Sequence, residues 1–163
     1  MKQIAVDGKN NLCGYLQPFD CGKDTMRIIG IDYGDSRIGI AVSDPFGWMA
    51  QGVETIKWQD SLKKPIERIC QLVGEYSAEK IVVGFPRNMN GTVGPRGEKT
   101  DEFIRRLSER TSIEIVKWDE RLTSVAANRA MHEMGMKISK KKEVVDQIAA
   151  GYILQGYLDS IKK

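Results

Sequence analysis

The sequence predicts an α/β fold: a mixed sheet with an antiparallel three-stranded start, then parallel strands, flanked by helices. Three observations predict it. Met26 to Asp44 (MRIIGIDYGDSRIGIAVSD) holds two short apolar runs joined by the break Gly34-Asp35-Ser36, the pattern of a β-hairpin. Downstream, β-branched runs alternate with stretches of helical periodicity, in the order β-β-β-α-β-α-β-α-α. No internal repeat or domain-sized shift in composition interrupts that alternation.

A chain of 163 residues is long enough for one domain with a real core. The net charge of +3 permits a nucleic-acid partner without requiring one. No run of about 18 apolar residues is present, and the start lacks the basic-then-apolar order of a signal peptide. The expected location is therefore cytoplasmic, with no membrane partner. Cys13, Cys21 and Cys70 are odd in number and lack C-x-x-C spacing, which argues against a disulfide framework or a thiolate zinc site. His132, the one histidine, sits in a helical stretch and reads as a surface or core-edge residue. Residues 1–25 balance Lys2, Lys9 and Lys23 against Asp7, Asp20 and Asp24 and show no sustained period. They read as a tag, an over-extended start or a loose extension, leaving 26–163 as the domain.

Within that domain the first strand runs through Ile28-Ile29-Gly30-Ile31 and ends on Asp32; the second runs from Arg37 to Val42. Pro45-Phe46-Gly47 makes a turn, and Gln51 to Ile56 forms a short third strand. A helix opens near Ser61, with Leu62, Ile66, Ile69, Cys70 and Val73 at helical spacing and Pro65 early enough to be tolerated. Lys80 to Gly84 is a buried strand, stopped at Phe85-Pro86. A polar loop spans Arg87 to Gly97, followed by a helix with Phe103, Ile104 and Leu107 as its apolar stripe. Ile113 to Trp118 alternates as a strand and runs directly into Asp119-Glu120-Arg121. A helix from Leu122 to Met134 and a basic hinge, Lys137 to Lys142, lead to the last helix, Glu143 to Ile161. Its expected core contacts are Val145, Ile148, Ala149, Tyr152 and Leu158.

Ligands of open α/β sheets gather at the carboxyl ends of the strands. Asp32, the Gly84-Phe85-Pro86 loop and the pair Asp119-Glu120 all fall at such ends. Asp146 lies early in the last helix among apolar neighbours, whereas Asp159 reads as surface. An ionised carboxylate at a buried strand end is costly unless it is paired or holds a metal. Converging carboxylates repel one another, and a hard divalent cation relieves that repulsion. Mg²⁺ (or Mn²⁺) suits such a set, and two ions about 4 Å apart suit phosphodiester cleavage. Each acid taken alone also has a bland reading, as a turn cap, an ion-pair partner or a helix-dipole acid. Their joint placement favours a site.

Basic residues surround these acids in sequence. Arg87 and Arg96 lie in the glycine-rich loop, and Lys140, Lys141 and Lys142 precede Asp146. Such clusters hold backbone phosphates if they border the acids. Asn90, with Gly91 and Thr92, offers a turn whose N–H groups suit phosphate. Arg37 either assists the site or pairs with Asp35.

These residues resemble the YqgF/RuvX family, described as Holliday junction resolvase-like proteins and candidate pre-16S rRNA nucleases. The resemblance rests on Gly30 to Gly34 with Arg37 to Asp44, Val83 to Pro86 with Met89 to Thr92, Asp119 to Thr123, and Asp146 with Ala149-Ala150 and Ile153 to Asp159. It implies an RNase H-like fold. It also implies that Asp32, Glu120 and Asp146 are the catalytic, metal-holding acids. Asp119, Arg121 and Thr123 support them, since strand alternation lets only one of Asp119 and Glu120 face the site. Ser124 stands where the family pattern usually has a second threonine.

The leading expectation is a metal-dependent nuclease acting on structured RNA, in 5′-end maturation of 16S rRNA, with ribosomal particles as further partners. The same chemistry on branched DNA is the second; it calls for a homodimer with two sites, whereas the first admits a monomer. The glycine-rich start also resembles the phosphate loop of actin-like ATPases and sugar kinases, but these need a second such domain. A non-catalytic RNA-binding role is disfavoured by the acids themselves.

Overall fold

The structure, a computed structural model, describes residues 26–122 and 142–162, with only the backbone of Lys142. The expectations placed on residues 1–25, Thr123, His132, Lys140, Lys141 and the helix and hinge before Lys142 lie outside the described residues. Five strands form one sheet in the order β3-β2-β1-β4-β5. They are β1 (Arg27–Tyr33), β2 (Arg37–Ser43), β3 (Ala50–Lys57), β4 (Ala78–Phe85) and β5 (Glu114–Asp119). β1, β2 and β3 are antiparallel neighbours, while β4 lies parallel to β1 and β5 parallel to β4. The described helices are α1 (Lys63–Glu75), α2 (Pro95–Ser108) and α3 (Lys142–Ile161), with a 3₁₀ turn at Glu120–Leu122. The expected mixed sheet is the one found.

Alternation within the strands builds two cores. Ile29, Ile31 and Tyr33 of β1 share one face with Ile38 and Ile40 of β2 and Ile81 and Val83 of β4. Ile66, Ile69 and Leu72 of α1 and Phe103 and Leu107 of α2 cover that face. On the other face Ile28, Ala41 and Val82 meet Ala150, Ile153, Leu154, Tyr157 and Leu158 of α3. Each fully buried Ile, Leu or Phe contributes about 1.5–3 kcal/mol relative to exposure, so the first face supplies the larger share of the core.

Three local readings differ from expectation. α2 begins at Pro95, inside the stretch expected to be loop, because proline at the first helical position loses no needed N–H. Gly97 is then a packing residue: a Cβ there would sit 3.0 Å from the Pro86 carbonyl oxygen and 2.6 Å from Val93 Cγ1. β1 extends through Tyr33, so Asp32 lies within the strand rather than at its last position. The third difference is the phase of α3. Of the five expected core contacts only Leu158 is fully buried; Val145, Ile148, Ala149 and Tyr152 are partly exposed. Apolar residues surround this helix, so periodicity could not choose a face.

The sheet itself selects the face. A Cβ on Gly30 would lie 2.6 Å from Leu154 Cβ, and one on Gly39 only 2.0 Å from the carbonyl oxygen of Asp146. Glycine at these two strand positions lets the backbone of α3 come down onto β1 and β2. Gly39→Ala should therefore displace the first turns of α3 and cost at least about 1–3 kcal/mol, as overpacking does. Gly74 in α1 has nothing within 4 Å of a built Cβ. Gly74→Ala should instead stabilise by about 0.5–1 kcal/mol. Urea denaturation of the two variants beside the parent chain measures both.

Candidate active site

Asp32 projects from β1 on the α3 face, since its alternate neighbours Ile31 and Tyr33 belong to the opposite core. Across the antiparallel pair its partner is Gly39. The same Gly39 admits the backbone of Asp146, so one missing Cβ brings two acids from distant parts of the chain together. Glu120 arrives from the third direction. It follows β5 at the start of the 3₁₀ turn and leans over Gly84 of β4, where a Cβ would meet Glu120 Oε1 at 2.9 Å and Cγ at 3.2 Å. β4 lies between β1 and β5, so the space over Gly84 joins Glu120 to Asp32.

The charges of these acids act on one another. Burial pushes the Asp32 carboxyl up to about 6; the Arg96 charge opposes this and the Asp146 charge adds to it. Burial likewise pushes Glu120 up to about 7, with Asp32 adding to the rise, Arg96 opposing it and Asp119 adding a little. Arg96, in the first turn of α2, therefore faces both acids electrostatically. Asp146 has its own cation: Arg37 Nε lies 2.7 Å from Asp146 Oδ2. The two atoms are close enough for an ion pair but not aligned as a hydrogen bond, and both are shut off from water. Of the two roles open to Arg37, pairing with Asp35 is not the one adopted; Asp35 binds Lys99 at 2.9 Å.

Asp119 points elsewhere. It carries the bidentate Arg121 fork, with Arg121 Nη2 2.6 Å from Oδ2 and Nε 3.1 Å from Oδ1, and accepts the Arg121 backbone N–H as well. The Arg121 hydrogen bonds hold its carboxyl below the ordinary value. Arg121 also reaches the carbonyl of Asn88 at 3.5 Å, tying the strand end to the loop after β4. That loop is closed by its own bonds. Asn90 Oδ1 accepts from the Thr92 N–H and hydroxyl, so this oxygen is committed to the turn, and Gly91 takes φ 83°. Arg87 is exposed and lies over the Phe85 ring, 5.9 Å from its centroid. Arg87, Asn90 and Arg121 thus border the carboxyl edge of the sheet, while Arg37 and Arg96 act on the acids. Gly84 is marked in the sequence only as part of a strand-end loop and Gly39 only within the family resemblance; the close backbone approach that each allows is what a glycine inside a strand pattern signals.

Among the described residues no three His, Cys, Asp or Glu side chains are already gathered as a metal-binding cluster. The donor chemistry nevertheless fits a hard divalent cation. Asp32, Glu120 and Asp146 offer carboxylate oxygens only, two of them held in a desolvated and mutually repelling state that a cation would relieve. Asp146 Oδ2 is buried without an aligned hydrogen bond.

Comparison with known proteins agrees with this architecture. Residues 26–160 match the family model RuvX, described as Holliday junction resolvase. A protein of Acetivibrio thermocellus named "Putative pre-16S rRNA nuclease" is 67% identical over 136 residues, 83% of this chain and 96% of that one. The protein of the same name from Clostridium tetani is 55% identical over 136 residues, covering 83% and 98%. In structure the chain is similar to Thermus thermophilus RuvC, with TM-score 0.51 at 13% identity over 84% of this chain and 97% of that one. The large terminase nuclease of the thermophilic phage G20c gives 0.51 at 14% identity, covering 82% of each chain. At such identities these structures speak for the fold, which is the expected RNase H-like class.

The raised carboxyls make a pH prediction. The folded chain keeps protons on Asp32 and Glu120 up to about 6 and 7, whereas unfolded carboxylates release them near 3.8 and 4.5. Over that window the folded state binds more protons, so the stability these two groups contribute is lost as pH rises. Their share of the unfolding free energy should fall by a few kcal/mol between about pH 4 and 7. Asp32→Asn should remove part of that fall and make the chain more stable than the parent at pH 8. Chemical denaturation across pH reads both effects.

Proposed function

The chain belongs to the RuvX family, and from that premise we propose that it is a metal-dependent nuclease using Asp32, Glu120 and Asp146 in 5′-end processing of pre-16S rRNA. The observation that carries the reading is the charge coupling of acids delivered by β1, β5 and α3 to one edge of the sheet. Burial and the neighbouring acid charges hold Asp32 and Glu120 at raised pKa, a state that a divalent cation would relieve. The names of the close relatives and the family match over 26–160 support the assignment. The functional unit is read as residues 26–163, with 1–25 outside it.

Bound Mg²⁺ or Mn²⁺, two ions with substrate in place, would supply neutralisation of the acids and activation of water for phosphodiester hydrolysis. Asp32 is the central ligand in this reading, because it feels both other acids. Glu120 and Asp146 flank it from opposite sides. Arg96 holds the phosphate nearest the acids, and Arg87 and Arg121 track the backbone beside it. Asp119 orients Arg121, Thr123 is kept as a supporting residue on the family resemblance alone, and Asn90 shapes the loop. The basic run Lys140, Lys141 and Lys142 would add further phosphate contacts in this reading. Among the described residues no helix is long and apolar enough to cross a membrane. The working location is the cytoplasm, with ribosomal precursor particles as partners.

A second reading, resolution of branched DNA, is favoured by the family description and by the likeness of fold to RuvC. It requires two matched cuts and hence a homodimer, whereas the RNA reading admits a monomer. Precursor 16S rRNA and a four-way DNA junction, offered separately under the same Mg²⁺ conditions, discriminate the two. We expect cleavage of the rRNA precursor, loss of at least about 10²-fold in Asp32→Asn if Asp32 anchors the metal, and no cleavage in EDTA. Full activity in either condition removes the metal-dependent reading, and symmetric cutting of the junction in preference to rRNA promotes the second.

A further inference from the structure

Arg37 opens β2 directly after the Gly34–Ser36 turn, and its side chain is 34% exposed. Its Nε nonetheless sits against Asp146 Oδ2 at 2.7 Å, and both atoms are inaccessible to water without an aligned hydrogen bond. The backbone of Asp146 is held by the close approach of α3 to Gly39, where no Cβ could fit. The carboxylate therefore stays and the guanidinium is the mobile partner. A second acid is near: Glu143, one turn earlier on α3, pairs with Lys57 and also feels the Arg37 charge. Arg37 is thus a tethered cation at the edge of an acidic site, and its planar fork is shaped for phosphate as well as for carboxylate.

A divalent cation on Asp146 would meet the Arg37 charge at close range, so the two oppose each other there. We propose that Arg37 and a divalent cation are competing partners of Asp146, and that a substrate phosphate draws Arg37 away, so that substrate and cation load the site together. The identity of that phosphate rests on the nuclease reading; the competition does not. The coupling is reciprocal: whatever factor the nucleic acid adds to cation affinity, the cation adds to nucleic-acid affinity. Arg37 is a positioning residue in this scheme, acting through Asp146. It also gives a reason why the described acids are coupled in charge yet not gathered into a metal cluster.

The test is calorimetric titration of Ca²⁺ into the full chain, with and without a hairpin RNA, for the parent, Arg37→Ala, Arg37→Gln and Arg37→Lys. Without RNA, Arg37→Ala and Arg37→Gln should bind Ca²⁺ at least tenfold more tightly than the parent, with Arg37→Lys close to the parent. RNA should raise Ca²⁺ affinity in the parent and in Arg37→Lys by a larger factor than in the two neutral variants, which keep only the coupling through the acids themselves. Thermal melting provides a second readout: Ca²⁺ should raise the melting temperature of Arg37→Gln more than that of the parent. Equal Ca²⁺ affinities in parent and neutral variants, or RNA coupling as large in them as in the parent, overturns the proposal. If Arg37→Ala does not fold, Arg37→Gln and Arg37→Lys carry the same comparison. A chain that cuts neither RNA nor DNA overturns the nuclease reading instead, and the RNA-free titration still decides the competition.

Discussion

The approach of α3 to the sheet over Gly39 and Gly30 is the constraint on which the site depends. A helix normally packs on a sheet through a layer of side chains. Here the Asp146 carbonyl oxygen would lie 2.0 Å from a Cβ on Gly39, closer than any real contact, so only glycine can occupy that position. Gly39 is also the cross-strand partner of Asp32. The close packing and the meeting of the two acids are therefore one event. The same logic repeats on β4, where Gly84 leaves room for Glu120. Apolar burial by Ile153, Leu154 and Leu158 further along α3 holds the helix down and offsets the cost of gathering like charges.

Charge is balanced locally rather than by the bulk of the chain. The net charge of +3 is mild, yet the acids are met by specific cations. Arg96 lowers the cost of ionising both Asp32 and Glu120, and Arg37 occupies Asp146. Asp119, one residue from Glu120, is taken out of the set by Arg121. Asp119 ends β5 and Glu120 opens the 3₁₀ turn, so it is the change from strand to turn, rather than strand alternation, that makes one a structural partner and the other a member of the site. The exposed ion pairs elsewhere, such as Arg106 with Glu102 on α2, are solvent-screened and add little to stability.

The rim of the carboxyl edge is built by different means. The loop after β4 holds its shape through Asn88, Asn90 and Thr92, which bond one another. Gly91 turns the chain at φ 83°, a conformation that L side chains seldom adopt. Arg121 binds this loop to the end of β5 through the Asn88 carbonyl. The polar residues of the loop are in part a scaffold, to which Arg121 is tied from the end of β5.

Much of this was legible in the order of residues. Two-residue alternation in β1, β2 and β4 and the helical stripes of α1 and α2 specify the elements, because local periodicity follows from backbone geometry alone. The strand-end placement of Asp32 and Glu120 marks a candidate site for the same reason. What the order of residues could not supply is anything that depends on a second element being present. The phase of α3 was misread because its apolar residues leave no preferred face, and only the sheet's glycines choose one. The start of α2 was placed too late because Gly97 serves packing against Pro86 rather than loop freedom. Residue order leaves the partner of Arg37 open between the site and Asp35. Its pairing with Asp146 spans more than a hundred residues and exists only after α3 has docked. The elements, their order and the acids they carry can be read from residue order alone, since these follow from local backbone periodicity. Which acids meet, and which cation each one keeps, emerges only on folding, because it depends on how closely two backbones can approach.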